Sequence, residues 1–166
     1  MSETVHATAV LAGADGVLIR GESGSGKSAL ALELIRRGAR LVADDRLTLS
    51  CCHGRIVATA PRATAGLIEL RGRGLLSLPH EESAVIRLIA DIVDAEGLER
   101  MPEAPQLTAT LLGIALPRQP VPTATDRAAT LIDAALRALL PQPDNGLAHR
   151  ESFGKMAALP TPMASS

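Results

Sequence analysis

Apolar residues occur along this chain in short runs that glycine, proline or polar residues interrupt. Runs of this length, rich in valine, isoleucine and leucine, are typical of β-strands. They predict strands at 5–12, 16–20, 40–44, 46–50, 54–60, 66–70 and 84–93, and one or two more within 107–116. Periodicity alone would also allow a helix at 84–93, because that apolar run is long.

Two segments have helical spacing instead. The segment that follows a glycine-rich loop at 21–28 has an apolar face that ends at Gly38, and 126–140 has a similar face that ends before Pro141. Strands that alternate with helices predict an α/β fold, here one domain over residues 1–141. The stretch 117–125 contains three prolines, so we do not expect a central strand there. Residues 94–106 are predicted to form a loop, and 142–166 a flexible tail.

Composition narrows the classes of function. The chain has 166 residues and a net charge of −1, which gives no electrostatic reason to expect nucleic acid as a partner. No apolar run reaches the roughly 18 residues of a membrane span, and the first residues do not resemble a signal peptide. Cys51 and Cys52 are adjacent, so we expect no disulfide and a reducing, cytoplasmic location. A metal site at these cysteines and His53 would lack the usual spacing of four ligands.

The segment 21–28 matches the phosphate-binding pattern G-x-x-x-x-G-K-[ST] at every position. Glycines allow successive backbone N–H groups to point at phosphate oxygens, and the helix that follows adds a partial positive charge. Lys27 is predicted to reach the β- and γ-phosphates of ATP, and the Ser28 hydroxyl to bind Mg²⁺. Lys27 also stands out because the chain has only one other lysine among 17 basic residues. The residues predicted to bind nucleotide are Gly21, Glu22, Ser23, Gly24, Ser25, Gly26, Lys27 and Ser28.

Two adjacent carboxylates, Asp44 and Asp45, end the apolar run that follows the first helix. Near a bound triphosphate, one carboxylate can hold the metal, directly or through water. The other can accept a proton from the attacking hydroxyl. A solvated turn is the simpler alternative, although a carboxylate pair after a buried strand is unfavourable without a cation.

Three segments together resemble the bacterial HPr kinase/phosphorylase family: HATAV at 6–10, GVLIRGESGSGKSALALELIRRGARLVADD at 16–45 and GLIELRGRGLLSL at 66–78. The resemblance is strong over 5–78 and weaker up to about residue 140. It implies a P-loop-containing mixed β-sheet domain similar to the phosphoenolpyruvate carboxykinase fold, with a C-terminal helix, in the short form that has the catalytic domain only. It also implies phosphorylation of a serine on the phosphocarrier protein HPr with ATP and Mg²⁺, in many members the reverse phosphorolysis, and a hexamer.

The resemblance also implies roles for individual residues. His6 matches the histidine that precedes the family's first strand, and Glu69 lies in the family's signature segment, where it is expected to help bind Mg²⁺. Asp45 is expected to be the proton acceptor, although its neighbour could take that role instead. Arg100 matches a family arginine through a looser local similarity, LERMPE. The catalytic set is thus His6, Lys27, Asp45 and Arg100, and the metal-binding set is Ser28, Asp44 and Glu69.

The segment 120–126 departs from the family. The family's loop there reads close to P-V-R-P-G-R-N and is linked to phosphorolysis, whereas this chain has PVPTATD, with Arg118 just before it. The loss of the loop's arginines and glycine favours the kinase direction. Three other functions stay open. One is a small-molecule kinase, in which Arg71 and Arg73 would bind an anionic acceptor, and another is a non-catalytic nucleotide-binding regulator. The third is a structural or assembly role, against which the intact glycine-rich loop argues.

Overall fold

The computed structural model describes residues 1–140 of the chain. The strands in this range are Ser2–Val5 (β1), Thr8–Ala12 (β2), Asp15–Arg20 (β3), Arg40–Ala43 (β4), Leu47–Cys52 (β5), Arg55–Thr59 (β6), Leu67–Leu70 (β7), Gly74–Ser77 (β8), Ser83–Ile92 (β9), Thr108–Leu111 (β10) and Ile114–Val121 (β11). The α-helices are Lys27–Arg36 (α1) and Thr125–Leu139 (α2), and 3₁₀ turns lie at Arg62–Thr64, Ala95–Gly97 and Ala104–Leu107. The predicted tail at 142–166 lies outside the described residues, and the boundary at residue 141 stays a prediction.

The long strand β9 organises the main sheet. One edge of β9 pairs in parallel with β3, while its other edge pairs first with β6, antiparallel, and then with β11, parallel. The sheet order is β1-β5-β6-β9-β3-β2-β4, with β11 and β10 continuing from the second half of β9, and β7 and β8 form a separate hairpin. The pairing with β3 skips Arg87 at a bulge, and the three residues that follow it are all buried. The strand predicted at 84–93 is therefore confirmed.

Two sequence predictions about strands are wrong. The segment 5–12 contains parts of two strands, because β1 ends at Val5 and β2 begins at Thr8. The strand β1 pairs with β5, whereas β2 pairs with β3 and β4, and His6 lies in the short connection between them. The proline-rich segment at 117–125 also supplies the second half of β11, which pairs with β9 inside the sheet. The sequence predicts no central strand at 117–125, because proline has no backbone N–H group to donate to a neighbouring strand.

The register of β11 explains how it accommodates prolines. Pro117 lies opposite Thr108, and alternation from the hairpin turn makes this a non-hydrogen-bonded pair, which needs no donor. The carbonyl of Val121 accepts a hydrogen bond of 2.9 Å from the N–H of Val93. The polar backbone groups of Val121 therefore face β9, and those of the preceding Pro120 point away from it. Pro117 thus removes no bond to β10 and Pro120 none to β9, and the pairing of β11 with β9 begins only after Pro117, at Arg118.

Both helices bury small and branched side chains. In α1 the buried residues are Leu30, Ala31 and Leu34, and this helix packs against β2, β3 and β4. The helix predicted at 126–140 is confirmed as α2, which buries Ala128 and Ile132. Within residues 1–140, no helix is long and apolar enough to cross a membrane.

An ion cluster joins the carboxyl ends of the three parallel strands. The Arg20 guanidinium, at the end of β3, donates to both oxygens of Asp91 on β9, at 2.7 and 2.8 Å. Arg118, on β11, also donates to Asp91, and its second nitrogen donates to the carbonyl of Gln106 at 2.8 Å. Burial acts to raise the pKa of Asp91, but the hydrogen bonds from the two guanidinium groups outweigh it and hold the pKa below its ordinary value. The cluster thus fixes the point at which β3 leads into the glycine-rich loop.

We expect Asp91→Asn to lower the free energy of unfolding by about 2 kcal/mol at neutral pH, because two guanidinium groups lose an ionised partner. Since the pKa of Asp91 is lowered by folding, its carboxylate stabilises the fold above the ordinary aspartate pKa of about 3.9. That contribution is lost as the pH falls through the folded-state pKa. Urea unfolding at about pH 7, 5 and 3 should therefore show the wild type and the variant converge at acid pH.

The control is Asp15→Asn, since the structure shows no side-chain hydrogen bond for Asp15 within residues 1–140. This variant should change the stability by less than about 0.5 kcal/mol. A difference between wild type and Asp91→Asn that is equal at all three pH values would contradict the ionised cluster.

Candidate functional site

The glycine-rich loop connects β3 to α1 in a conformation that few side chains allow. A Cβ atom on Gly21 would lie 2.5 Å from the hydroxyl of Ser25, so the loop is closed too tightly for another residue there. Gly26 caps α1 with a φ of 102°, in the left-handed region, and no side chain caps the helix. The first N–H groups of α1 are therefore not covered by a capping side chain, which makes this helix end suitable for an anion.

The ammonium group of Lys27 is held by the loop itself. Its Nζ atom donates to the carbonyl of Gly21 at 2.9 Å and to that of Glu22 at 3.0 Å. The same Glu22 carbonyl also accepts a hydrogen bond of 3.0 Å from the backbone N–H of Ser25. The positive charge is thus already placed within the loop, where it would meet a phosphate bound to the loop amides.

The buried carboxylate of Asp44, which is 8% exposed, accepts three hydrogen bonds from separate parts of the chain. Its Oδ1 atom accepts from the hydroxyl of Thr8 at 2.9 Å and from that of Ser28 at 2.7 Å. Its Oδ2 atom accepts from the backbone N–H of Glu69 at 3.0 Å. Asp44 therefore connects β2, the start of α1 and the β7–β8 hairpin.

Asp45 has a different environment, although it is the next residue. It is exposed, and its φ of 68° places it in the left-handed region, which aspartate enters more readily than most residues. Within residues 1–140, its carboxylate has no hydrogen-bond partner. The turn thus separates a buried carboxylate that accepts three hydrogen bonds from one that faces solvent.

A cavity of about 450 Å³, which we call the Asp45 cavity, lies over the loop and the two aspartates. The sequence-predicted residues that it brings together are Ser23, Gly24, Gly26, Lys27, Ser28, Asp44, Asp45 and Glu69. The lining also includes two polar residues that do not belong to the predicted nucleotide site, Thr8 and Arg71. The polar Thr8 in an otherwise apolar strand was the signal for the first, since a fully buried hydroxyl needs a partner.

Arg71 lies at the tip of the β7–β8 hairpin, and its Nη2 atom is 3.6 Å from the position of a Cβ on Gly24. The hairpin therefore brings a cation to the glycine-rich loop. The two glycines that alternate with arginine in the hairpin sequence RGRG favour close approach to another group. The structure identifies that group as the loop.

The donors in the Asp45 cavity fit Mg²⁺ in the presence of phosphate. Magnesium prefers oxygen ligands and usually takes one or two from the protein, with phosphate and water supplying the rest. Ser28 and Asp44 offer a hydroxyl and a carboxylate oxygen that are 2.7 Å apart. Within residues 1–140, no group of three or more His, Cys, Asp or Glu side chains is placed to hold a metal alone. The side chain of Glu69 is exposed, so its role as a metal ligand stays a prediction.

Two predicted catalytic residues lie outside the Asp45 cavity. His6 is exposed at the break between β1 and β2, two residues before Thr8. Arg100 is exposed in the segment between the 3₁₀ turns at Ala95–Gly97 and Ala104–Leu107. Their catalytic roles stay predictions.

A second cavity, of about 530 Å³, lies on the other side of the glycine-rich loop. We call it the Asp94 cavity. Glu22 and Ser25 line it from the loop, and Ile92, Val93, Asp94 and Thr123 line it from the ends of β9 and β11. Ser23 and Gly24 line both cavities, so the two are neighbours across the loop. No sequence pattern indicated this cavity, because its walls come from segments far apart in the chain.

Comparison with known proteins identifies the family of the chain. Residues 1–155 match the family described as HPr Serine kinase C-terminal domain. An HPr kinase/phosphorylase of Bordetella pertussis is 40% identical over 133 residues, which cover 74% of this chain and 43% of that protein. One of Clostridium tetani is 50% identical over 64 residues, or 39% of this chain and 21% of that protein. The chain thus spans less than half the length of these curated relatives.

A solved structure has the same fold over nearly its whole length. The Hpr(Ser) kinase/phosphatase from Coxiella burnetii matches with a TM-score of 0.71 and 26% sequence identity. The match covers 94% of this chain and 95% of that one. The mixed α/β fold with a C-terminal helix is therefore confirmed.

The different environments of Asp44 and Asp45 predict different effects of their substitution on the free energy of unfolding. Asp44→Asn should lower the free energy of unfolding by about 2 kcal/mol, because an amide cannot accept from all three donors and leaves at least one buried group unpaired. Asp45→Asn is the matched control, and it should change the stability by less than about 0.5 kcal/mol, since asparagine also tolerates the left-handed region. Urea unfolding of both variants checks this. Equal effects of the two substitutions would contradict the distinct environments.

Proposed function

The chain belongs to the HPr serine kinase C-terminal domain family, and we propose that it transfers the γ-phosphoryl group of ATP, with Mg²⁺, to a serine of the phosphocarrier protein HPr. The observation that carries the proposal is the Asp45 cavity, in which a P-loop lysine and serine lie near a carboxylate without a hydrogen-bond partner in residues 1–140. The names of the relatives support HPr as the acceptor.

The phosphates of ATP would be bound by the backbone amides of the loop and by Lys27. The ammonium would exchange its two carbonyl partners for phosphate oxygens, which are stronger acceptors because they are charged. Ser28 and Asp44 would hold Mg²⁺, which neutralises charge on the phosphates when it is bound. Asp44 also orients the Ser28 hydroxyl, since the two are hydrogen-bonded.

Of the two aspartates, we propose Asp45 as the base that accepts the proton of the seryl hydroxyl. Asp44 is buried and both of its oxygens already accept hydrogen bonds, so an incoming seryl hydroxyl has poor access to it. Asp45 is exposed to the cavity and accepts no hydrogen bond from residues 1–140, so an incoming hydroxyl can reach it. These environments favour Asp45 over Asp44 for the role of base, which the sequence left open between them.

Phosphoryl transfer depends mainly on positioning and on stabilising charge. Arg71 is the cation best placed to act beside Lys27, because its guanidinium approaches the loop at Gly24. We therefore propose that Arg71 contacts the transferred phosphoryl group. His6 and Arg100 lie outside the cavity, so in this proposal they would act on the bound acceptor.

The kinase direction is favoured over phosphorolysis. The segment 120–126 contains no arginine, and Arg118 just before it is bound to Asp91 and to a carbonyl. An attacking orthophosphate would therefore find no free guanidinium on this segment. The proposal also includes a hexamer, as the resemblance implies, and a cytoplasmic location, which the two free cysteines suggest.

The first test is transfer of label from γ-labelled ATP to the serine of purified HPr, with and without Mg²⁺. Lys27→Ala should lower the rate at least about 100-fold, because the transition state loses a charged donor. Asp45→Asn should lower kcat about 100- to 10,000-fold while ATP affinity changes little, because only the proton acceptor is removed. Asp15→Asn, a control outside the Asp45 cavity, should leave both quantities unchanged.

An undiminished rate in Lys27→Ala would contradict the mechanism. No labelling of HPr by a protein that still binds ATP would point to a small-molecule acceptor or to a non-catalytic regulator. A chase of labelled HPr with orthophosphate tests the reverse direction, and rapid release of labelled pyrophosphate would contradict the preference for the kinase reaction.

A further inference from the structure

We propose that the Asp94 cavity binds the nucleoside part of the phosphate donor, with the ribose hydroxyls on Asp94 and the base against Ile92 and Val93. This inference rests on the proposed function in one respect, namely that the glycine-rich loop binds a nucleoside triphosphate.

The position of the cavity in the fold supports a ligand site. The strands β3, β9 and β11 are parallel neighbours, and all three end at the same edge of the sheet. The segments after these strands form the Asp94 cavity: the glycine-rich loop after β3, Val93 and Asp94 after β9, and Thr123 after β11. Ligands of open α/β sheets bind outside the carboxyl ends of parallel strands.

The charges around the two cavities differ in a way that orients a nucleotide. The charged residues that line the Asp94 cavity are both acidic, Glu22 and Asp94. The Asp45 cavity has the cations Lys27 and Arg71 and the predicted metal ligands. Phosphates would therefore be repelled from the first cavity and attracted to the second. A nucleoside is neutral, and its hydroxyls donate hydrogen bonds to carboxylates, so it suits the acidic cavity.

The two cavities are connected by the loop residues that hold phosphate. Ser23 and Gly24 line both of them. A triphosphate that crosses the loop at Gly24 would place its terminal phosphate beside Asp45 and its nucleoside beside Asp94. The volume of about 530 Å³ lies within the usual range for a small-ligand site.

A hydrogen bond holds the side chain of Asp94 in place and leaves one of its carboxylate oxygens able to accept another. Its Oδ1 atom accepts the N–H of Gly97 at 2.9 Å, which caps the 3₁₀ turn, and its other oxygen has no partner within residues 1–140. A Cβ on Gly97 would lie 2.9 Å from the Cβ of Val93, so this turn packs closely onto the cavity wall. Within residues 1–140, the apolar side chains of this wall are the aliphatic Ile92 and Val93. The base would make its apolar contact with these two side chains.

A further polar group lies at the boundary of the cavity. The hydroxyl oxygen of Ser25 is buried and has no hydrogen-bond partner, and within residues 1–140 it is the one buried side-chain oxygen or nitrogen in that state. Unpaired buried hydroxyls are unfavourable, and a bound nucleotide would offer acceptors to this one.

The experiment compares the binding of ATP, of 2′,3′-dideoxy-ATP and of inorganic tripolyphosphate to the full chain by calorimetry with Mg²⁺. Asp94→Asn keeps an oxygen that can accept the Gly97 N–H, so the turn should persist. We expect this variant to bind ATP about five- to tenfold more weakly, because a charged acceptor for the ribose is lost, and to bind tripolyphosphate as the wild type does. The wild type should lose a similar factor with the dideoxy nucleotide, and the variant should show no additional loss.

The matched control is Glu96→Gln, which removes the same charge from the same 3₁₀ turn outside the cavity lining and should leave all three affinities unchanged. Equal weakening of ATP and tripolyphosphate by Asp94→Asn would overturn the inference. So would unchanged ATP affinity together with a raised KM for HPr, which would make the cavity an acceptor site. If the wild type binds tripolyphosphate as tightly as ATP, only this inference fails; if it binds neither, the proposed function fails with it.

Discussion

One buried carboxylate is shared by three separate parts of the chain. Asp44 accepts hydrogen bonds from the hydroxyl of Thr8 on β2, from the hydroxyl of Ser28 on α1 and from a backbone N–H of the β7–β8 hairpin. Because a buried carboxylate that loses a donor is destabilised, none of these segments can move away alone. The geometry of the loop, of the hairpin and of Asp45 therefore depends on this single acceptor. The cation at the hairpin tip, Arg71, owes its place beside the loop to the same contact.

A second constraint comes from the parallel edge of the sheet. Three strands end side by side there, and each would present backbone groups and charges to the same space. The Arg20–Asp91–Arg118 cluster balances charge just behind the loop. Because Arg118 is committed to this cluster, the edge stays free of unpaired guanidinium groups on that strand. The glycine-rich loop therefore has the acidic Asp94 cavity on one side and the Asp45 cavity, with its cations, on the other.

Much of this arrangement was predictable from the sequence, because it is local in the chain. The glycine-rich loop and its helix have a pattern that almost dictates their conformation. The adjacent aspartate pair, which the sequence singled out, lies beside that loop. The features that could not be predicted depend on pairing between distant segments. The prolines of β11 are acceptable only in one register. Thr8 and Asp91 gain their importance from partners 36 and 71 residues away, which no local pattern reveals.

The left-handed backbone of Asp45 has an evolutionary consequence. Glutamate carries the same carboxylate, but its longer side chain does not share the ease with which aspartate, asparagine and glycine occupy that region. Of these three residues, only aspartate carries a carboxylate. Under the role proposed for Asp45, two independent requirements restrict substitution at this position, one for the backbone conformation and one for a carboxylate, and only aspartate meets both. A relative without the acid would most readily carry asparagine or glycine here and keep its fold, so that the unchanged backbone turn would mark the loss of the proposed activity.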